Sequence, residues 1–315
     1  MSLVSIIIPT HNRYDSLFNS IDSALNQSYK NIEVIVVDDN FNDKELRKKI
    51  HDRLKKEYKD VIYVSKNEHL GGAFARNEGA KVSNGDYLAF LDDDDIFYES
   101  KIEKQLELFK SSKFDNLGLV YCYGDIYYPS GKHEVETTDI DGNPLVHQMM
   151  SNICGSSFMM IKKEVFNDIG GFKKIHSHQD GVVLLNILAK GYNIDLVREP
   201  LVKYYFHAKN DGITSVNEKI LDADKEYLEI CRKYFDKISI KDQKRVILKY
   251  YDDRNWNLII LNKDKIAKEE LKDIFKKYKF NKVYFKCLLR VLFSNHVRNK
   301  EKKFDREVLM EGNNG

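Results

Sequence analysis

An α/β fold followed by a helical C-terminal region is predicted from three features of this 315-residue chain. Short β-branched runs alternate with amphipathic segments over the first part of the sequence, and turn residues close each run. From about Asn217 onward the composition turns lysine-rich and loses its strand-like runs.

Residues 3–8 (Leu-Val-Ser-Ile-Ile-Ile) and 32–37 (Ile-Glu-Val-Ile-Val-Val) read as buried strands. Between them Leu17, Ile21, Ala24 and Leu25 recur at helical spacing. Strand, helix and strand in so short a stretch make a βαβ unit with a parallel, right-handed crossover. A charged helix over 43–57, a strand over 61–65, a helix over 71–83 opened by Gly71-Gly72 and a strand over 86–91 continue the alternation. A helix over 100–110 and a strand near 118–123 precede a polar stretch, 124–144, whose Gly and Pro residues suggest a long loop or hairpin. Strand character returns at 157–161 and 194–206, around a helix near 180–190. The boundary is expected near 215. It separates an α/β domain over 1–214, with halves at about 1–97 and 98–214, from a basic helical subdomain over 215–315.

Composition narrows the function. The net charge of +2 (51 basic against 49 acidic residues) makes no case for nucleic-acid binding. It conceals an asymmetry: residues 215–315 carry 25 basic and 17 acidic side chains, leaving 26 and 32 for residues 1–214. The four cysteines, at 122, 154, 231 and 287, have no metal-ligand spacing and read as reduced thiols. Cys154 has no neighbouring base that would make it a nucleophile. No stretch reaches the roughly 18 to 20 apolar residues of a bilayer crossing, and the opening apolar run is too short for a signal peptide. A cytoplasmic location, either soluble or attached to the inner membrane face from outside the bilayer, is the expectation.

The strongest local signal is Asp92-Asp93-Asp94-Asp95, directly after the apolar strand. Four adjacent carboxylates repel one another, and a hard divalent cation such as Mn²⁺ or Mg²⁺ neutralises them economically. A solvated acidic turn is the alternative. Asp38-Asp39 closes an earlier strand at what should be the same sheet edge, where open α/β sheets gather ligands. Taken alone, that pair also suits a helix N-cap before Asp43. No P-loop and no Gly-x-Gly-x-x-Gly follows a strand, which disfavours P-loop kinases and Rossmann dehydrogenases.

Six segments in order, at 4–13 (Val-Ser-Ile-Ile-Ile-Pro-Thr-His-Asn-Arg), 34–40, 71–80, 85–95, 170–172 (Gly-Gly-Phe) and 179–180 (Gln-Asp), resemble the motifs of glycosyltransferase family 2. The likeness spans about residues 3–210. It implies the GT-A fold, a mostly parallel Rossmann-like sheet with helices on both faces, and metal-dependent, inverting transfer of a sugar from a nucleoside diphosphate. It sets the donor's base and ribose near Pro9, Thr10, His11, Asp39 and Arg76, with Asp92 and Asp93 on the donor side. Asp94 becomes the metal ligand at the end of the Asp-x-Asp motif, and His207 a second group near the metal or diphosphate. Asp180 becomes the catalytic base, although an N-cap of its helix is the plain alternative. His11 stands where relatives usually have an aromatic such as Tyr, Gln179 where they have Glu, and Tyr205 where they often have Arg. His176 and His178, just before Asp180, are weaker candidates for acceptor or phosphate contact.

The implied activity moves a hexose or N-acetylhexosamine from a UDP-sugar to a glycan or lipid-linked acceptor in cell-surface polysaccharide synthesis. A nucleotidyltransferase making the sugar nucleotide, and a non-catalytic sugar-nucleotide-binding protein of the same fold, are the competing readings. In the tail, residues 276–303 hold ten basic side chains and one acidic, Glu301. Tyr284, Phe285, Leu288, Leu289 and Leu292 share one helical face there, with Lys286 and Arg290 on another. A basic amphipathic helix suits an anionic membrane surface. Packing against the catalytic domain, or against a second subunit in a homo-oligomer, suits it equally.

Overall fold

In a computed structural model, which describes residues 1–206 and 217–309, the first apolar run forms a strand buried along its whole length (β1, Val4–Thr10). Such burial is what an unbroken apolar run requires, because the strand is covered on both faces. Helix α1 (Asp15–Leu25) leads to β2 (Ile32–Asp38), and α2 (Lys44–Glu57) to β3 (Val61–Ser65). Helix α3 (Gly72–Val82) then returns the chain to β4 (Tyr87–Phe90). The helix start before Lys44 is capped by Asp43, whose carboxylate accepts from the Leu46 N–H at 2.9 Å. The cap alternative for Asp38-Asp39 is therefore not realised.

Strands β3, β2, β1 and β4 lie side by side and parallel. The second half of the sheet is mixed. After β5 (Ile96–Phe97), α4 (Lys101–Ser111) leads to β6 (Leu117–Tyr127), β7 (His133–Glu136) and α5 (Leu145–Met150). Strand β8 (Met160–Lys162), α6 (Lys163–Asp168), α7 (Gln179–Ala189) and β9 (Asn193–Tyr205) complete it. The short β8 runs antiparallel to both β4 and β6 and joins the halves. The segment expected to be a long loop at 124–144 is partly a hairpin, because β6 continues to Tyr127 and β7 pairs with it. The strand expected at 157–161 begins instead as a short 3₁₀ turn at Ser156–Phe158.

The C-terminal region is helical, as expected: α8 (Glu218–Arg232), α9 (Ile240–Ile260), α10 (Asp264–Tyr278), α11 (Lys282–Leu292) and α12 (Ser294–Leu309). Leu228, Cys231 and Val246 join the core of the sheet domain, whereas Leu258, Ile259, Ala267, Ile274 and Cys287 form a separate cluster. All four cysteines are free and buried. Among the described residues no helix is long and apolar enough to cross a membrane.

Candidate active site

The parallel strands bring the sequence motifs to one edge. Thr10 pairs with Asp38 and Ile7 with Phe90, so the chain leaves β1, β2 and β4 on the same side at Thr10–His11, Asp39 and Asp92. Helix α3 lies flat on this half of the sheet. It can do so because Gly79 has no side chain: a Cβ there would stand 2.4 Å from Ile7 Cγ2 and 3.1 Å from Val37 Cγ2. That closeness brings Arg76, one turn earlier, to the edge.

The acidic run alternates in burial. Asp93 and Asp95 are 8% and 0% exposed, whereas Asp92 and Asp94 keep part of their side chains in solvent. Asp93, expected on the donor side, turns inward: its carboxylate accepts the Thr10 hydroxyl at 2.7 Å and the His11 N–H at 3.2 Å. Burial, reinforced by the Asp94 and Asp92 charges against the Thr10 bond and Arg13, pushes Asp93 up to about 7. Asp95 accepts the Ser157 hydroxyl at 2.5 Å and is driven well above the usual carboxylate range, first by burial and then by Asp92 and Asp94. Arg13 reaches Asp94 at 2.8 Å and Asp93 at 3.4 Å, and Arg76 pairs with Asp92. Four carboxyls thus face two guanidiniums. Asp92 and Asp94, the accessible members of the run, are the oxygen donors that a hard cation would take.

A second polar group lies at the end of β2. Asp39 is 3% exposed and accepts the N–H groups of Leu70 at 2.6 Å and Gly71 at 2.8 Å, with His69 Nδ1 at 2.9 Å. His11 Nδ1 lies 3.1 Å from the Asp39 carbonyl, and the His11 and His69 rings stand 5.0 Å apart. Their donor atoms, with that of Asp39, fall within 4.8 Å of one another, close enough to hold a metal ion. Two imidazoles suit zinc-like ions better than Mg²⁺. The Asp39 oxygens are already occupied by backbone donors, so the group reads here as a hydrogen-bonded floor beside two exposed rings. His69 carried no signal in the sequence. Pro9 lies within buried β1, and the Thr10 hydroxyl is spent on Asp93.

Across the edge stands α7. Its N-cap is not Asp180, as the cap alternative had it, but His178, held at φ 63°. Asp180 sits in the first turn. Burial, then the Asp92 charge, raise its carboxyl to about 6 against Arg76 and hydrogen bonds from Ser156. The Ser156 hydroxyl also reaches Asp92, at 3.2 and 3.3 Å to its two oxygens. Arg76 and Ser156 therefore join the acidic run to Asp180. The loop before α7 is fixed by Asn77, whose amide donates to the Phe172 carbonyl and accepts its N–H, each at 2.9 Å. The Gly170-Gly171 pair permits this: both have positive φ, and a Cβ on Gly171 would lie 2.5 Å from Asn77 Oδ1.

Gln179 donates to the Ile175 carbonyl at 3.1 Å, within that loop. His176 Nε2 is buried with no hydrogen-bond partner among the described residues. His178 meets the C-terminal region: it bonds Asp224 at 2.8 Å and stacks on Tyr227 with ring centroids 4.8 Å apart. Sequence reasoning missed this link because the partners are 46 and 49 positions away. Beside it a cleft opens between α5, α7, α8 and α9, lined by Met149, Asn152, His178, Tyr227 and Tyr250. Tyr205 stacks on Tyr127. His207 lies outside the described residues.

Comparison with known proteins converges on one family. The family model described as glycosyl transferase family 2 matches residues 5–170. The chain is 29% identical over 259 residues to the UDP-Glc:alpha-D-GlcNAc-diphosphoundecaprenol beta-1,3-glucosyltransferase WfaP of Escherichia coli, covering 80% of this chain and 92% of that protein. Among solved structures, S. aureus TarS 1-349 in complex with UDP-GlcNAc superposes with a TM-score of 0.58 at 13% identity, over 96% of this chain and 92% of that one. The mannosyltransferase PcManGT from Pyrobaculum calidifontis, in complex with GDP-Man and Mn²⁺, gives a TM-score of 0.58 at 16% identity, over 95% and 87%.

Proposed function

The chain belongs to glycosyl transferase family 2 and has the GT-A fold, and from that premise we propose that it transfers a hexose or N-acetylhexosamine, with inversion, from a UDP-sugar to a hydroxyl of a glycan or lipid-linked saccharide. The proposed setting is polysaccharide synthesis at the cytoplasmic face of the membrane. Residues 1–97 would serve the donor, 98–214 the acceptor, and 215–315 would support the acceptor side. Membership of a glycosyltransferase family removes the nucleotidyltransferase reading.

One observation carries the proposal. Asp180, with a carboxyl raised to about 6, is tied through Arg76 and Ser156 to the acidic run at the strand ends. A base poised near neutrality beside an acidic edge suited to a cation is what a metal-assisted inverting displacement requires. Asp180 takes the proton from the acceptor hydroxyl as that oxygen bonds to the anomeric carbon, and the bond from that carbon to the diphosphate breaks. Asp94 would hold Mn²⁺ or Mg²⁺, with Asp92 toward the ribose. When bound, the cation neutralises charge on the departing diphosphate. Arg76 holds Asp92 in place and keeps Asp180 from rising further.

The relative from Escherichia coli named for UDP-Glc supports uridine as the base. Stacking of uracil on His11, above the floor made by Asp39, accommodates it. The same relative, named for a diphosphoundecaprenol acceptor, supports a lipid-linked acceptor. The cleft beside His178 and Tyr227 is a candidate for the acceptor's sugars. The test is incubation with Mn²⁺ and, separately, UDP-glucose, UDP-N-acetylglucosamine and GDP-mannose, following released nucleotide and the configuration of the freed or transferred sugar by NMR. Consumption of a UDP-sugar with a β product is expected. Preference for GDP-mannose overturns the choice of base, and consumption of none overturns the proposal.

A further inference from the structure

Helix α11 is apolar on two opposite sides. Val283, Tyr284, Cys287, Leu288 and Val291 pack into the helical cluster with α9 and α10. Phe285, Leu289, Leu292 and the following Phe293 are 48%, 56%, 64% and 59% exposed. These four recur at helical spacing and form one stripe. Phe280, in the turn before α11, is 65% exposed and extends the stripe, its ring stacked on Phe285 at 5.7 Å. Exposed apolar patches of this extent mark interaction surfaces.

Along the chain, the segment that carries the stripe bears charge of one sign. Residues 275–293 contain six basic side chains and no acidic one. Lys286 and Arg290, expected to form a free basic face, turn instead to Asp252 of α9 at 2.7 and 2.6 Å. Lys276, Lys277, Lys279 and Lys282 remain exposed, without an ion pair among the described residues, and gather in the sequence around Phe280.

We propose that the stripe from Phe280 through Phe285, Leu289 and Leu292 to Phe293 docks in the plane of an anionic lipid surface, with these lysines on the headgroup phosphates. Charge complementarity selects this occupant. A second copy meeting the same face about a two-fold axis would set lysine against lysine. Lying flat also agrees with the absence, among the described residues, of a helix able to cross a membrane. The docking deepens the reading of a membrane-borne acceptor and rests on it for its biological sense. Its test uses no sugar substrate, so either can fail alone.

The test is co-sedimentation of the full chain with vesicles of phosphatidylcholine alone and of an equal mixture with phosphatidylglycerol. Two variants accompany it: Phe285→Ser/Leu289→Ser/Phe293→Ser, and Lys276→Glu/Lys279→Glu/Lys282→Glu. Circular dichroism and thermal melting check that each is folded, and the lysine set keeps the test open should the apolar set fail to fold. The expected result is pelleting with the mixed vesicles only, weakened about tenfold or more by either variant. No pelleting, or equal pelleting by wild type and both variants, overturns the proposal. So does a wild-type dimer, in analytical ultracentrifugation, that the apolar variant converts to monomer.

Discussion

Asp180→Asn removes a proton acceptor while keeping size and shape, which isolates the chemistry assigned to that carboxyl. With its carboxyl raised to about 6, Asp180 is about nine-tenths ionised at pH 7 and about one-tenth ionised at pH 5. The wild-type kcat/KM for transfer is therefore expected to rise about tenfold between those values and level off above them. The variant is expected to lose about 10²- to 10⁴-fold in kcat, the usual worth of a positioned general base, and to lose the acid limb. Initial rates of nucleotide release across the pH range measure both. Asp93, pushed up to about 7, is the rival source of an acid limb. An unchanged limb in Asp180→Asn, or a rate loss below tenfold, refutes the assignment of Asp180 as base.

The same carboxyls make stability depend on pH. Asp93 and Asp95 have folded values above the unfolded one, so their contribution is fully present below the unfolded value and is lost as pH rises, for Asp93 through about 7. The metal-free protein is expected to melt lower at about pH 8 than at about pH 5, with Mn²⁺ and UDP narrowing the gap; a melting temperature that rises over this interval contradicts the raised carboxyls of Asp93 and Asp95. Gly79→Ala gains about 1 kcal/mol of helix propensity. Its methyl falls 2.4 Å from Ile7, so an overpacking cost of about 1–3 kcal/mol should outweigh the gain, and greater stability in urea contradicts the close packing of α3. Asp224→Ala frees His178, two residues before Asp180. A drop in kcat of about tenfold with unchanged donor KM is expected, and an unaltered kcat removes any role for the C-terminal region in holding the base.

Much of the donor edge could be read from residue order because it depends on local runs. The β-branched segments at 4–8, 32–37 and 61–65 are strands, Asp39 follows the second of these strands, and Asp92 follows the apolar run that ends at Leu91. The inward turn of Asp93 and Asp95 was not legible, since it depends on Thr10 and Ser157, 83 and 62 positions away. Gly124 looked like the start of a loop. It is instead a strand residue that makes room for Phe158, whose ring carbon would lie 2.1 Å from an added Cβ. Ser157, read as the start of a strand, is drawn with Ser156 into a turn whose hydroxyls serve Asp92 and Asp95. In the tail, Asp252 on α9 takes up Lys286 and Arg290, a pairing that no helical wheel of α11 alone reveals.

The account turns on Asp92 and Asp94 presenting a cation to a diphosphate. Isothermal titration of UDP into the wild-type protein and Asp94→Asn, each with Mn²⁺ and with chelator, measures that directly. Tight binding by the wild type only with Mn²⁺, weakened about tenfold or more by the substitution or the chelator, is the expected result. UDP bound equally well without the metal, or by Asp94→Asn with it, contradicts the account.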